Sequence, residues 1–245
     1  VWGGSSIEQL KKQGRPRWMS RNSRLVSGFE AGSRILELLA LYFAGDRSSG
    51  WRPQYCSIET KRGAHLMSIA DILRPEDLSE YSGRDWWQEV TGDQVVHLGE
   101  YIHRGAAENT YGPEELIEEL DDLSQLAISA GEKGMRSASG EKELPGFARD
   151  GFCMGRLGEF YVERLRAALS YARGENAEAA EHTARALGLY REIAELDSSH
   201  RDTFTLRWHK SSVQGGWNPI IRALEREHED IISALFKPGS DYPIQ

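Results

Sequence analysis

Glu100-Tyr-Ile-His103 and Glu225-Arg-Glu-His228 are the two segments whose residue types and spacing look most like a chemical site. A Glu and a His three positions apart on a helix share one face. Di-iron four-helix proteins place one such pair on each of two helices. A complete site needs two further inward carboxylates, for which Glu37, Glu159 and Glu163 are available. Against this, the chain carries 26 Glu and seven His, so two such pairs are an ordinary occurrence. His228 falls on an apolar stripe, where a lone His is more often a hydrogen-bonded core residue. No metal and no cofactor are therefore expected. The chain also has no His-Glu-x-x-His, no Gly-x-Ser-x-Gly and no glycine-rich phosphate loop. For hydrolytic chemistry the first candidates are Asp150, Glu159 and Glu163, close to Phe160 and Tyr161, because glycoside hydrolysis needs two facing carboxylates. Surface charge on an amphipathic helix is the plainer account of them.

The aromatic residues are more informative. Trp51, Trp86, Trp87, Trp208 and Trp217 fall in loops or at helix starts rather than within apolar stripes. Trp51 has Arg52 and Gln54 beside it, and the segment RWHKSSVQGGW from Arg207 to Trp217 adds His209 and Gln214. An indole face stacks on the C–H face of a sugar ring, while amide, guanidinium and imidazole groups bond its hydroxyls. Trp51, Arg52, Gln54, Trp86, Trp87, Trp208, His209, Gln214 and Trp217 thus form the candidate glycan-binding set. The competing account is that these indoles plug the ends of a helix bundle, each N–H on a backbone carbonyl.

The elements that must position these residues are helical. Leu25, Phe29, Gly32, Leu36, Leu39 and Phe43 step by three and four, which predicts a helix over 24–43. Residues 45–66 read as a long aromatic loop, followed by a short helix at 67–73. Asp85 is a candidate cap for a helix over 86–103. Gly112-Pro113 opens the next, with Glu114 and Glu115 at its positive end and Leu116, Leu120, Leu123 and Ala127 on one face. Residues 131–146 (GEKGMRSASGEKELPG) read as a polar linker. Two helices meeting at Gly174 follow, and a last one starts at Trp217-Asn218-Pro219 with Asn218 as cap. No stretch alternates with period two for long enough to build a sheet, which excludes the strand-dependent barrel and dinucleotide-binding folds. The expectation is an all-α protein, a bundle or irregular array of about seven helices. The linker would divide it into 1–136, carrying the long aromatic loop, and 137–245, unless the two parts form one continuous domain.

Composition narrows the partners. The 245 residues carry 38 acidic against 30 Lys+Arg side chains, a formal net charge of −8. An acidic chain lacks the basic face that a nucleic acid or an anionic membrane requires. No apolar run approaches a membrane-spanning length. Cys56 and Cys153 have no Cys-x-x-Cys spacing, so two separate thiols or one bridge both remain open.

Three segments together resemble a known family: SRNSRLVSGFEAGSRILELLALYFAGD (20–46), YGPEELIEELDDLSQLA (111–127) and GRLGEFYVERLRAALSYARGENAEAAEHTARALGLYREIAEL (155–196). With the closing GGWNPIIRALEREHEDI (215–231), they resemble the C-terminal all-helical region of large bacterial glycoside-hydrolase-like proteins of polysaccharide-utilisation systems. The resemblance implies a secreted or periplasmic, non-catalytic accessory module. Its partners would be a polysaccharide or oligosaccharide and an upstream catalytic domain, and the start at Val1 fits a chain whose upstream part is missing. Because the sugar-active barrel of such proteins is not in this chain, no catalytic residue carries over. Two alternatives compete. One is a helical glycan hydrolase or lyase using Asp150, Glu159, His209 or His228. The other is a peptide-binding module, since 165–197 resembles one tetratricopeptide hairpin, although solenoids need about three repeats.

Overall fold

Apolar residues at helical spacing fold Ser23–Ala44 into α1, burying Leu25, Ala31, Ile35, Leu38, Leu39, Tyr42 and Phe43. A computed structural model describes residues 23–44, 57–60, 63–73, 94–105, 110–137, 144–196, 204–208, 211–215 and 217–235. The order continues with strands β1 (Ser57–Thr60) and β2 (Gly63–Leu66), helix α2 (Ile69–Leu73), β3 (Gln94–Val95) and α3 (Leu98–Arg104). After these come β4 (Thr110–Tyr111), α4 (Pro113–Ser137), α5 (Leu144–Ala172) and α6 (Asn176–Leu196). Strands β5 (Phe204–Trp208) and β6 (Ser211–Gly215) lead into α7 (Trp217–Leu235). The fold is an all-α array, with seven helices among the described residues.

Local chemistry explains the helix ends. Pro113 opens α4 at the one position where a missing N–H costs nothing, and the Gly112 N–H donates to Glu115 Oε2 at 3.0 Å. Gly174 ends α5 with φ of 78°, a left-handed turn that favours glycine. Its N–H donates to the Tyr171 carbonyl at 3.1 Å, and the Glu175 N–H donates to the Ser170 carbonyl at 2.8 Å. Both orphan carbonyls are thereby satisfied and the chain reverses directly into α6.

Helix α5 is the axis of the array. Helices α1, α2, α3, α4 and α6 all pack on it, and α7 packs on α6. One buried cluster runs from Ile35 on α1 through Leu157, Phe160, Tyr161 and Leu165 to Ile231 on α7, so both sides of residue 137 share a core. No helix among the described residues is long and apolar enough to cross a membrane.

The structure corrects four expectations. The polar linker at 131–146 is mostly helix: α4 continues to Ser137 and α5 begins at Leu144. Gly131 and Gly134 are there because α5 and α1 approach too closely for a side chain, not because the chain is loose. Of the helix expected over 86–103, the described residues 94–97 are not helical, and α3 begins at Leu98. Before it, β3 pairs in parallel with β4, and the Val96 N–H donates to the Tyr111 carbonyl at 2.8 Å. The 45–66 loop contains the β1–β2 hairpin, and the segment before α7 is the β5–β6 hairpin. Four- and five-residue strands are too short to show as a sustained period, although Phe204-Thr-Leu-Arg-Trp208 does alternate. Finally, α7 starts at Trp217, which places Asn218 inside the first turn rather than at the cap.

Candidate functional site

Arg164 is the largest charged group in the core. It occupies the inward face of α5 and is only 1% exposed. Its guanidinium pairs with Glu227 of α7 and donates to the Met67 carbonyl at 2.7 Å, with the Phe160 ring 5.9 Å from its centre. Glu227 in turn accepts the Ile69 N–H at 2.7 Å. Ser68, between those two backbone groups, donates its N–H and hydroxyl to Asp71 at 2.7 and 2.8 Å. One buried ion pair therefore holds α7 and the turn that leaves β2.

The second hairpin is anchored at its root by an aromatic residue. Two positions after the end of β6, the Trp217 side chain inserts into the core at 2% exposure, edge-on to Tyr190 with 5.6 Å between ring centres. Strands β2 and β6 lie against each other. Segments far apart in the sequence, each tied to α5 or α6, thus meet at one edge of the array.

The placement of the candidate glycan set follows from this. Trp51, Arg52, Gln54, Trp86, Trp87 and His209 lie outside the described residues. Trp208 ends β5 opposite Ser211, and Gln214 stands on β6 opposite Thr205. Trp217 is corrected: a ring packed on Tyr190 inside the core is not a platform for a sugar. Its burial agrees with the bundle-plug account for this indole, since the first turn of α7 buries its apolar face against α6.

The candidate acids and histidines are engaged between or along helices. Glu159 accepts from Gln125 at 2.9 Å and from Arg156 at 2.7 Å, while Arg156 also reaches Glu192 at 3.2 Å. His228 Nδ1 is 2.8 Å from the Thr183 hydroxyl, so this His joins α7 to α6. Glu225 pairs with Arg191, Glu100 with Arg104 and Glu37 with Arg34, and His103 is exposed. The two Glu-x-x-His segments are thus committed to different partners. Among the described residues no group of three or more His, Cys, Asp or Glu is placed to hold a metal ion. Asp150 is exposed on α5 and Cys153 is buried there; Cys56 lies outside the described residues.

Glu163 is the centre of the densest polar cluster. It accepts from Arg185 Nε at 2.7 Å and Arg166 at 3.2 Å, and lies 2.8 Å from His182 Nδ1. Arg166 extends the network to Asp121 on α4 at 3.4 Å. Burial works against the charged carboxylate, but the bonds from His182 and Arg185 outweigh it, so Glu163 titrates below the ordinary carboxylate range. A carboxyl with a depressed folded-state value contributes stability above its unfolded value and loses it as pH falls through the lowered one. Glu163→Gln is therefore expected to flatten the acid limb of the stability curve, read by urea unfolding at a series of pH values. An acid limb identical to the unmodified chain would refute that assignment.

Arg164, Glu227 and His182 were not singled out from the sequence, although one signal was present. Arg164 falls within the stripe Leu157, Phe160, Tyr161, Leu165 and Ala168, where a charge on an inward face implies a buried partner. Matching the chain to family models, to curated proteins and to solved structures gives no match in any of the three.

Proposed function

We propose that this chain is a non-catalytic helical accessory module of a secreted or periplasmic carbohydrate-active protein. It supports a neighbouring catalytic domain and binds oligosaccharide at the edge where the two hairpins meet. The observation that carries the reading is the adjacency of β2 and β6, which joins the two hairpins at one place. Trp208 and Gln214 stand on one of those strand pairs. The alternative of catalysis within this chain is disfavoured by the commitment of Glu159, Glu163 and His228 to ties between helices.

Affinity electrophoresis and a reducing-end assay, run on one preparation against a panel of polysaccharides, test this. Retardation without product is expected, weakened by Trp208→Ala, since an indole–sugar stack is lost. Release of reducing ends would make the chain an enzyme. Neither retardation nor product would overturn the carbohydrate reading altogether.

A further inference from the structure

Glu163 and Arg185 both face the same nitrogen of His182, and that nitrogen can serve only one of them. His182 Nδ1 lies 2.8 Å from Glu163 Oε2 and 2.7 Å from Arg185 Nη2. The carboxylate only accepts and the guanidinium only donates, while a ring nitrogen carries either a proton or a lone pair. A protonated Nδ1 bonds Glu163 and opposes Arg185. A bare Nδ1 accepts from Arg185 and opposes the carboxylate. Among the described residues nothing bonds Nε2, so the contest is settled at Nδ1 alone.

Exposure decides which partner can leave. Glu163 is 11% exposed and has a second cation, Arg166, on Oε1 at 3.2 Å, whereas Arg185 is 50% exposed. Glu181, one turn earlier on α6, already stands 3.7 Å from Arg185 Nη1. The other charges around the ring are Asp121 of α4, held by Arg166, and Glu178, exposed a turn before His182 on α6. Helix α7, which also packs on α6, directs His228 to Thr183 and Glu225 to Arg191.

We propose that His182 and Arg185 form a proton-operated exchange on the seam between α5 and α6. With the imidazole neutral, Nε2 carries the proton and Nδ1 accepts from Arg185, so the guanidinium bridges His182 and Glu163. Uptake of one proton at Nδ1 breaks the bond from Arg185 Nη2 and forms a bond from Nδ1–H to Glu163 Oε2. Two cations then meet across Nδ1, and the more exposed one, Arg185, turns to Glu181. Glu163 stays ionised in both states, because its carboxyl titrates below the ordinary range, and the proton goes to the ring. The exchange moves a positive charge along the exposed side of α6 while Glu163 keeps α5 and α6 tied.

The test is NMR of the full chain between about pH 8 and about pH 5, the interval in which histidine ordinarily titrates. Proton–nitrogen correlations read the imidazole tautomer and the guanidinium signals. His182→Gln and Arg185→Met, checked for helical content by circular dichroism, assign the two side chains. At high pH the unmodified chain should show the Nε2–H tautomer at His182. Arg185→Met should convert it to Nδ1–H, because the carboxylate alone then faces Nδ1. On acidification the Arg185 signals should shift together with those of His182, and His182→Gln should abolish that shift. An Nδ1–H tautomer in the unmodified chain at high pH would overturn the inference, as would retention of Nε2–H in Arg185→Met. Arg185 signals that stay fixed while His182 titrates would overturn it as well.

Discussion

Arg164→Ala is expected to lower the unfolding free energy by about 3–5 kcal/mol, the range for removing one partner of a buried ion pair. In a chain of this size that corresponds to a fall in Tm of roughly 10 °C. The loss has three sources. Glu227 remains as a partly buried carboxylate without its guanidinium, the Met67 carbonyl loses a charge-assisted bond, and the space beside Phe160 is emptied. Replacing both charges, Arg164→Met with Glu227→Leu, should recover only part of this. In many proteins an apolar pair substitutes well for a buried ion pair. Here the Met67 carbonyl and the Ile69 N–H would each lose a hydrogen bond that no apolar side chain restores. Thermal and urea unfolding of the three variants measure the difference. Full recovery in the double variant would show that the pair contributes nothing beyond filling space.

Gly131→Ala is expected to destabilise by about 1–3 kcal/mol, although alanine is the better helix former by about 1 kcal/mol. A Cβ at this position in α4 would lie 2.7 Å from Phe152 Cβ, 2.8 Å from the Ala148 carbonyl oxygen and 2.9 Å from Phe152 Cα. None of these atoms can rotate away, so α4 and α5 would have to separate along a closely packed seam. Gly188→Ala is the matched control. Gly188 lies on α6 with nothing within 4 Å of the added atom, so there the same substitution should stabilise, by up to about 1 kcal/mol. Opposite signs in urea unfolding are the expected outcome. Stabilisation at both positions would mean that α4 and α5 do not approach closely at Gly131.

The pair of glycines shows why part of the fold was legible and part was not. In the sequence, Gly131 and Gly134 stand in a run of Gly, Ser, Glu and Lys and read as a linker. The property that keeps them inside α4 is the closeness of Phe152 and Leu25, residues on two other helices. Gly174, by contrast, ends its helix through bonds to Ser170 and Tyr171, a few positions away, and its break was readable. Glu159 and Glu163 show the same division. Their residue type suggested catalysis, whereas their partners on α4 and α6 make them ties between helices.

By itself the sequence determined the all-α class, the run of α1, the start of α4 at Pro113 and the reversal between α5 and α6. Each of these rests on interactions between residues at most a few positions apart, which leave a periodic or capping signature in the order of residues. Only the tertiary structure decided that Trp217 belongs to the core, that Arg164 and Glu227 pair, and that β2 meets β6. Those outcomes depend on which distant surfaces exclude water together. Burial and ion pairing are set by the three-dimensional neighbourhood, and a charge or an indole of the same type can serve the surface or the core.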